Sequence, residues 1–111
     1  MIHSMNLCPE PFKMIKSGEK TIELRLNDEK RQQVSVGDEI IFNNLNSEEK
    51  IKAVVMRIHR FQNFTELYNA LPLDKCGYKV NEKADPSDMD IYYSKEQQAL
   101  YGVVGIEIKL I

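Results

Sequence analysis

The chain has 111 residues, 42% hydrophobic and 29% charged, with 15 basic and 17 acidic side chains and a net charge of −2. This is the make-up of one soluble globular domain, residues 1–111, with room for a single core and none for a separate cofactor-binding domain, and it excludes a disordered or fibrous chain. A negative balance disfavours a generic duplex binder, and the lack of a signal peptide or a long apolar run points to a cytosolic protein with no membrane contact.

Residues 3–7 read as a short first strand and residues 9–17 as a helix. Pro9 and Pro11 are tolerated only in its first turn, and Gly18 supplies the left-handed residue just past its end. Phe12 and Ile15 then face the core. Lys13 and Lys16 lie three apart on the exposed side, with Lys20 just beyond, so their ammonium groups either line one edge of a site or form a solvated face.

Residues 20–26 predict a strand with two distinct rows. Ile22, Leu24 and Leu26 share one parity and Thr21, Glu23 and Arg25 the other, so one row is buried and a hydroxyl, a carboxylate and a guanidinium stand in line on the opposite face. Lys20 sits at the mouth of that row. Read without function, Glu23 and Arg25 are an exposed salt bridge worth about 0–1 kcal/mol.

Residues 27–35 are polar, and Gly37-Asp38 reads as a tight turn entering a strand over residues 39–42. Turn formers fill residues 43–49, and the β-branched, alternating residues 50–60 return as a long strand, making a hairpin. Asn63 with Glu66 resembles a capping box for a helix running to Leu71, before Pro72. Residues 76–85 predict no element, whereas Asp85, Pro86 and Asp88 mark one helix start and Ser94 with Gln97 another. Residues 103–111 alternate, with Val104, Ile106, Ile108 and Leu110 on one face and Glu107 and Lys109 on the other. The sum is an α+β domain whose mixed or antiparallel sheet closes into a barrel with helices packed around it.

Cys8 and Cys76 lie far apart with no CxxC spacing, so neither a zinc site nor a redox motif is indicated and both are expected as buried or half-buried free thiols. His3 and His59 have no partners at metal or catalytic spacing and read as structural. No metal and no cofactor are expected. Lys13, Lys16, Lys20 and Arg25 outnumber Glu10, Glu19 and Glu23 in the first third, while residues 82–96 are acidic, a layout suited to a small or single-stranded ligand.

The run Ser17-Gly18-Glu19-Lys20-Thr21-Ile22-Glu23-Leu24-Arg25, joined to Val36-Gly37-Asp38 and to Tyr101-Gly102-Val103-Val104-Gly105-Ile106, resembles the ASCH domain (activating signal cointegrator homology) in its small stand-alone bacterial form. The resemblance spans nearly the whole chain and implies a PUA-like β-barrel with an RNA- or nucleotide-related role in a cleft beside the Gly-x-Lys motif. One branch of that family removes the acyl group from N4-acetylcytidine, using a lysine and a threonine on this strand with a distant glutamate. The lysine falls on Lys20 and an arginine of the pattern on Arg25. The threonine falls on Glu23, which cannot act as a hydroxyl nucleophile, and Asp85 and Asp88 are the nearest acids by position to the distant glutamate.

Two chemistries follow for the same side chains. In a binding site, Arg25 offers its fork to a phosphate or base edge, Glu23 accepts from an exocyclic amine, Lys20 neutralises a phosphate and Thr21 adds a polar contact. Tyr92, Tyr93 or Tyr101 either stack on a base or pack in the core and rim. In an amidohydrolase, Glu23 activates a water, Lys20 and Arg25 stabilise an oxyanion, and Thr21 contacts the substrate or serves as nucleophile. The expected partner is RNA or a nucleotide-like small molecule; an amidohydrolase of N4-acylated cytidine is the alternative, and a protein-interaction module marked by an exposed apolar patch is the third reading.

Overall fold

Pro9 and Pro11 start helix α1 (Pro9–Ser17) directly after strand β1 (Ile2–Leu7), and Gly18, at φ +86°, ends it with its amide bonded to the Ile15 carbonyl. The computed structural model describes residues 1–111. Strand β2 (Ile22–Leu26) follows, then a short helix α2 (Glu29–Gln32) within the polar stretch for which the sequence predicts no element. Asp28 nucleates that helix by accepting from the Arg31 amide at 3.1 Å. Strands β3 (Glu39–Asn44) and β4 (Lys50–Phe61) form the expected hairpin, and helix α3 (Phe64–Ala70) is capped by Asn63, which accepts from the Glu66 amide at 2.9 Å.

Residues 73–91 hold two 3₁₀ helices, Leu73–Cys76 and Pro86–Ile91, the second closed by a reciprocal Asp85–Asp88 capping box. The capping signals therefore mark real starts, but the short apolar content after Pro86 sustains only 3₁₀ turns. Helix α4 (Lys95–Tyr101) begins at Ser94 as its spacing with Gln97 predicts, and strand β5 (Val103–Leu110) completes the chain.

The five strands form one curled sheet in the order β1-β3-β4-β5-β2, a half-barrel with helices around it. β1 runs parallel to β3, and every other pair is antiparallel. β1 and β2 are the free edges. They do not pair with each other, so the expected barrel is left with a seam, which one side chain crosses: Arg25 Nη2 donates to the Asn6 carbonyl at 2.8 Å.

Two apolar clusters explain this curl. Phe12, Ile15, Ile40, Phe42, Val104 and Ile106 fill the inside of the half-barrel, each burial contributing about 1.5–3 kcal/mol. Ile22, Leu24 and Val103 pack outward beneath Phe64 and Leu67 of α3. Strand β2 is thus covered on both faces, a correction to the single buried row expected of it: Glu23 is only 3% exposed. Of the two cysteines, Cys76 is buried as expected, while Cys8, at the cap of α1, is exposed because the chain turns outward there from β1. No helix is long and apolar enough to cross a membrane.

Candidate functional site

The seam between β1 and β2 is the mouth of a cavity of about 650 Å³, within the range of small-molecule sites. Its floor is Glu23. The carboxylate is clamped from both sides: Lys20 Nζ stands 2.7 Å from Oε1, and Arg25 donates from Nε to Oε2 at 2.8 Å with Nη2 2.7 Å from the same oxygen.

Lys20 and Glu23 differ in strand parity, so their meeting needs a local break in the strand. Gly18 provides it by ending α1 in the left-handed region, and Lys20 lies before β2 begins, its amide donating to the Met14 carbonyl at 3.0 Å. The Lys20 stem is then roofed by Gly77, which has φ +110° and whose missing Cβ would lie 3.4 Å from Lys20 Cδ. A glycine there lets the backbone cross the lysine closely.

Burial opposes ionisation of Glu23, and the charges and hydrogen bonds of Lys20 and Arg25 outweigh it, so the carboxyl is held below the ordinary carboxylate range. Burial likewise disfavours charge on Arg25, but Glu23 more than compensates and raises its pKa further. The triplet carries one net positive charge, and both Glu23 oxygens are engaged by protein donors. Glu23 therefore sets the positions of two cations, Lys20 and Arg25, which both border the cavity.

The opposite wall comes from residues 77–93: Gly77, Tyr78 and Glu82 lie in the stretch for which the sequence predicts nothing, and the rest follow the helix start predicted at Asp85. Tyr68 OH and Tyr78 OH lie 2.7 Å apart, and Tyr78 OH donates to Asp88 Oδ2 at 2.8 Å, an aligned chain along that wall. Burial, followed by these hydrogen bonds, pushes the Tyr78 hydroxyl pKa up, so it stays protonated. Cys76 also borders the cavity, and its burial pushes the thiol up to about 11, leaving it an unreactive thiol.

Of the residues singled out from sequence, Lys20, Glu23 and Arg25 come together here. Thr21 stands outside the lining: its amide donates to the Lys75 carbonyl at 2.9 Å and its carbonyl accepts from Ile108, so its backbone anchors β2 at the start of the strand. Asp88 lines the cavity and Asp85 does not. Tyr92 and Tyr93 line it, Tyr93 stacked on Phe64 at 6.3 Å, while Tyr101 bonds Glu29 elsewhere. Lys13 is absent from the lining, and Lys16 is paired with Glu49 on the surface. His3 pairs with Asp38 at 2.8 Å and His59 with Glu107 at 3.0 Å, both away from the cavity, as their structural reading implies. No cluster of His, Cys, Asp and Glu has the geometry to hold a metal ion.

Sequence reasoning missed Tyr68, Gly77, Tyr78 and Glu82, which all border the cavity. An isolated glycine before a tyrosine in a segment without periodicity was the one available signal.

The ASCH domain model matches residues 5–111. No curated protein matches the sequence significantly. Among solved structures, the hypothetical protein PH0355 is similar with 32% identity, full coverage of both chains and a TM-score of 0.84. Protein PF0455 from Pyrococcus furiosus shares 32% identity, covering 100% of this chain and 98% of that one, with a TM-score of 0.77. That relative is archaeal, so the similarity is not confined to the bacterial form. The ASCH domain from Lactobacillus crispatus JV V101 shares the fold at 16% identity, with 98% and 79% coverage and a TM-score of 0.66.

Proposed function

This chain belongs to the ASCH domain family, and we propose that its seam cavity binds a nucleotide-like ligand or a single nucleotide of RNA, with Lys20 and Arg25 as the ligand-facing cations. The observation that carries this reading is the clamped Glu23, which preorganises an ammonium and a guanidinium about one buried carboxylate beside a cavity of nucleotide size. Tyr92 and Tyr93 offer ring faces for stacking, worth about 1–3 kcal/mol per base. Two cations, Lys20 and Arg25, face four acids, Glu10, Glu23, Glu82 and Asp88, around the cavity, so a ligand with one phosphate or none fits better than a triphosphate. Calorimetric titration of cytidine 5′-monophosphate tests this: micromolar to millimolar binding that weakens at least about tenfold in Arg25→Ala and in Lys20→Ala supports it, and equal binding by all three proteins refutes it.

A second reading is an amidohydrolase of N4-acylated cytidine, favoured by the 2.7 Å Lys20–Glu23 contact inside the cavity. Its difficulty is that a carboxylate with a lowered pKa and both oxygens engaged is a weak general base. Release of cytidine from N4-acetylcytidine, abolished by Lys20→Ala, would establish hydrolysis over binding alone.

A further inference from the structure

The outer face of the sheet along β1, β3 and β4 has no helix on it. On this face stand Ser4 and Asn6 of β1, Ile41 and Asn43 of β3, and Lys50, Lys52 and Val54 of β4, fixed by the register Ser4↔Ile41↔Lys52 and Asn6↔Asn43↔Lys50, and none of them is buried. β5 adds Lys109, which pairs with Val54 and so shares the face. Such a face is a normal place for a second layer, yet here its centre is half-exposed Ile41 and Val54 and its edge is cationic.

The same register puts two acids on this face, Glu39 beside Val54 and Glu107 beside Arg57, against the cations Lys50, Lys52, Arg57 and Lys109, so its balance is positive. Strand β4 carries Lys50, Lys52, Arg57, His59 and Arg60 in 12 residues and no acid. Lys50 and Lys109 have no acidic partner, Lys52 meets Glu39 only at 3.4 Å with its side chain 49% exposed, and Arg57 is 73% exposed beside Glu107. Lys50 and Lys52, two residues apart on one face, have Cα atoms about 7 Å apart along the strand.

A polar chain joins this row to the seam cavity. Lys50 Nζ donates to Asn43 Oδ1 at 2.6 Å, Asn43 Nδ2 donates to Asn6 Oδ1 at 3.3 Å, and the Asn6 carbonyl receives Arg25 at 2.8 Å. Asn6 itself lines the cavity. The path from Arg25 to Lys50 therefore crosses β1 and β3 without an acidic residue.

We propose that this open face is a track for the phosphate backbone of single-stranded RNA, running from the seam cavity over Asn6 and Asn43 to Lys50, Lys52 and Lys109. The proposal rests on the cavity being the nucleotide end of the same ligand. Charge complementarity selects a polyanion, and the cavity selects a single strand, since a base pair does not enter a site of one-nucleotide size. Ile41 and Val54 between the lysines give base faces an apolar surface, whereas the overall charge of −2 leaves no positive belt with which to wrap a duplex.

The test is fluorescence anisotropy with a labelled single-stranded oligouridylate of about ten nucleotides, between about 50 and 200 mM salt, on the intact protein and on the combined variant Lys50→Ala, Lys52→Ala, Lys109→Ala. All three residues are exposed, so the variant keeps its core. The expected result is at least a tenfold loss of RNA affinity and a log–log salt slope shallower by about 2, from three lost phosphate contacts at about 0.7 each. Cytidine monophosphate affinity stays unchanged. An unchanged slope and affinity in the variant, tighter binding to a duplex of equal length, or no RNA binding by the intact protein overturns the track. RNA binding lost in the variant while the monophosphate fails to bind either protein sustains the track and removes the cavity reading instead.

Discussion

Lys20 and Arg25 flank a carboxylate from which water is excluded, with side chains only 11% and 13% exposed, whereas Lys50, Lys52 and Lys109 project from an open sheet into solvent. The two groups carry the same charge and obey different physics. In the seam, low dielectric makes each charge depend on the others, so position and stability are one property. On the sheet, screening makes each charge nearly independent, so removal costs binding and little stability.

The largest break in this contrast is expected from Glu23→Gln, which keeps the volume but leaves two buried cations facing one another. Loss of one partner from a buried pair costs about 3–5 kcal/mol, readable as a lowered urea midpoint. Arg25→Lys comes next: an ammonium has no counterpart of the Nε donor that holds Glu23 Oε2 beside Nη2, and loss of that charge-assisted bond is expected to cost about 1.5–3 kcal/mol by the same assay. Gly77→Ala places a Cβ against Lys20 at φ +110°, with a strain of about 1–2 kcal/mol and weaker nucleotide binding. Gly18→Ala, at φ +86° over open space, is expected to show similar strain with binding intact, which separates conformational cost from damage to the site.

Acid gives a smaller and differently placed effect. Asp38 is held down to about 2 by its hydrogen bond with His3, the Ser35 amide and the chain terminus, against a weaker burial penalty. Its folded pKa lies below the unfolded value of about 3.9, so the stability it contributes is present above pH 4 and is lost as pH falls toward 2. Glu23, lowered for its own reasons, acts in the same direction. Asp38→Asn is therefore expected to flatten the acid limb of a stability–pH curve and leave the neutral limb's slope unchanged. The smallest effect belongs to Lys52→Ala on the open sheet, under about 1 kcal/mol, since its partner Glu39 is itself well exposed.

Much of the scaffold was legible because local signals agreed with the final packing. Pro9, Pro11 and Gly18 bracket α1 at its observed bounds, and Asn63 and Ser94 cap the helices their spacing with Glu66 and Gln97 predicts. The site was half legible. Lys20, Glu23 and Arg25 stood out because three charges in six residues around a strand start are unusual, but their burial was not visible, since the wall that excludes water comes from residues 77–93. Tyr78 and Gly77 lie in a segment held by tertiary contacts and carry no periodicity to read. The parallel β1–β3 pair and the open seam were likewise invisible, because parity tells which residues share a face and not which strand lies alongside.

The central claim is that Glu23, held between Lys20 and Arg25, organises a nucleotide-sized cavity at the β1–β2 seam. The most direct measurement is an amide NMR titration of the intact protein with cytidine 5′-monophosphate. Shifts concentrated at Asn6, Lys20, Glu23, Arg25, Tyr78 and Tyr93, absent in Glu23→Gln at the same ligand concentration, are the predicted result. Shifts clustered on α4 and the Arg60–Asn63 surface instead, or an unchanged response in Glu23→Gln, would contradict it.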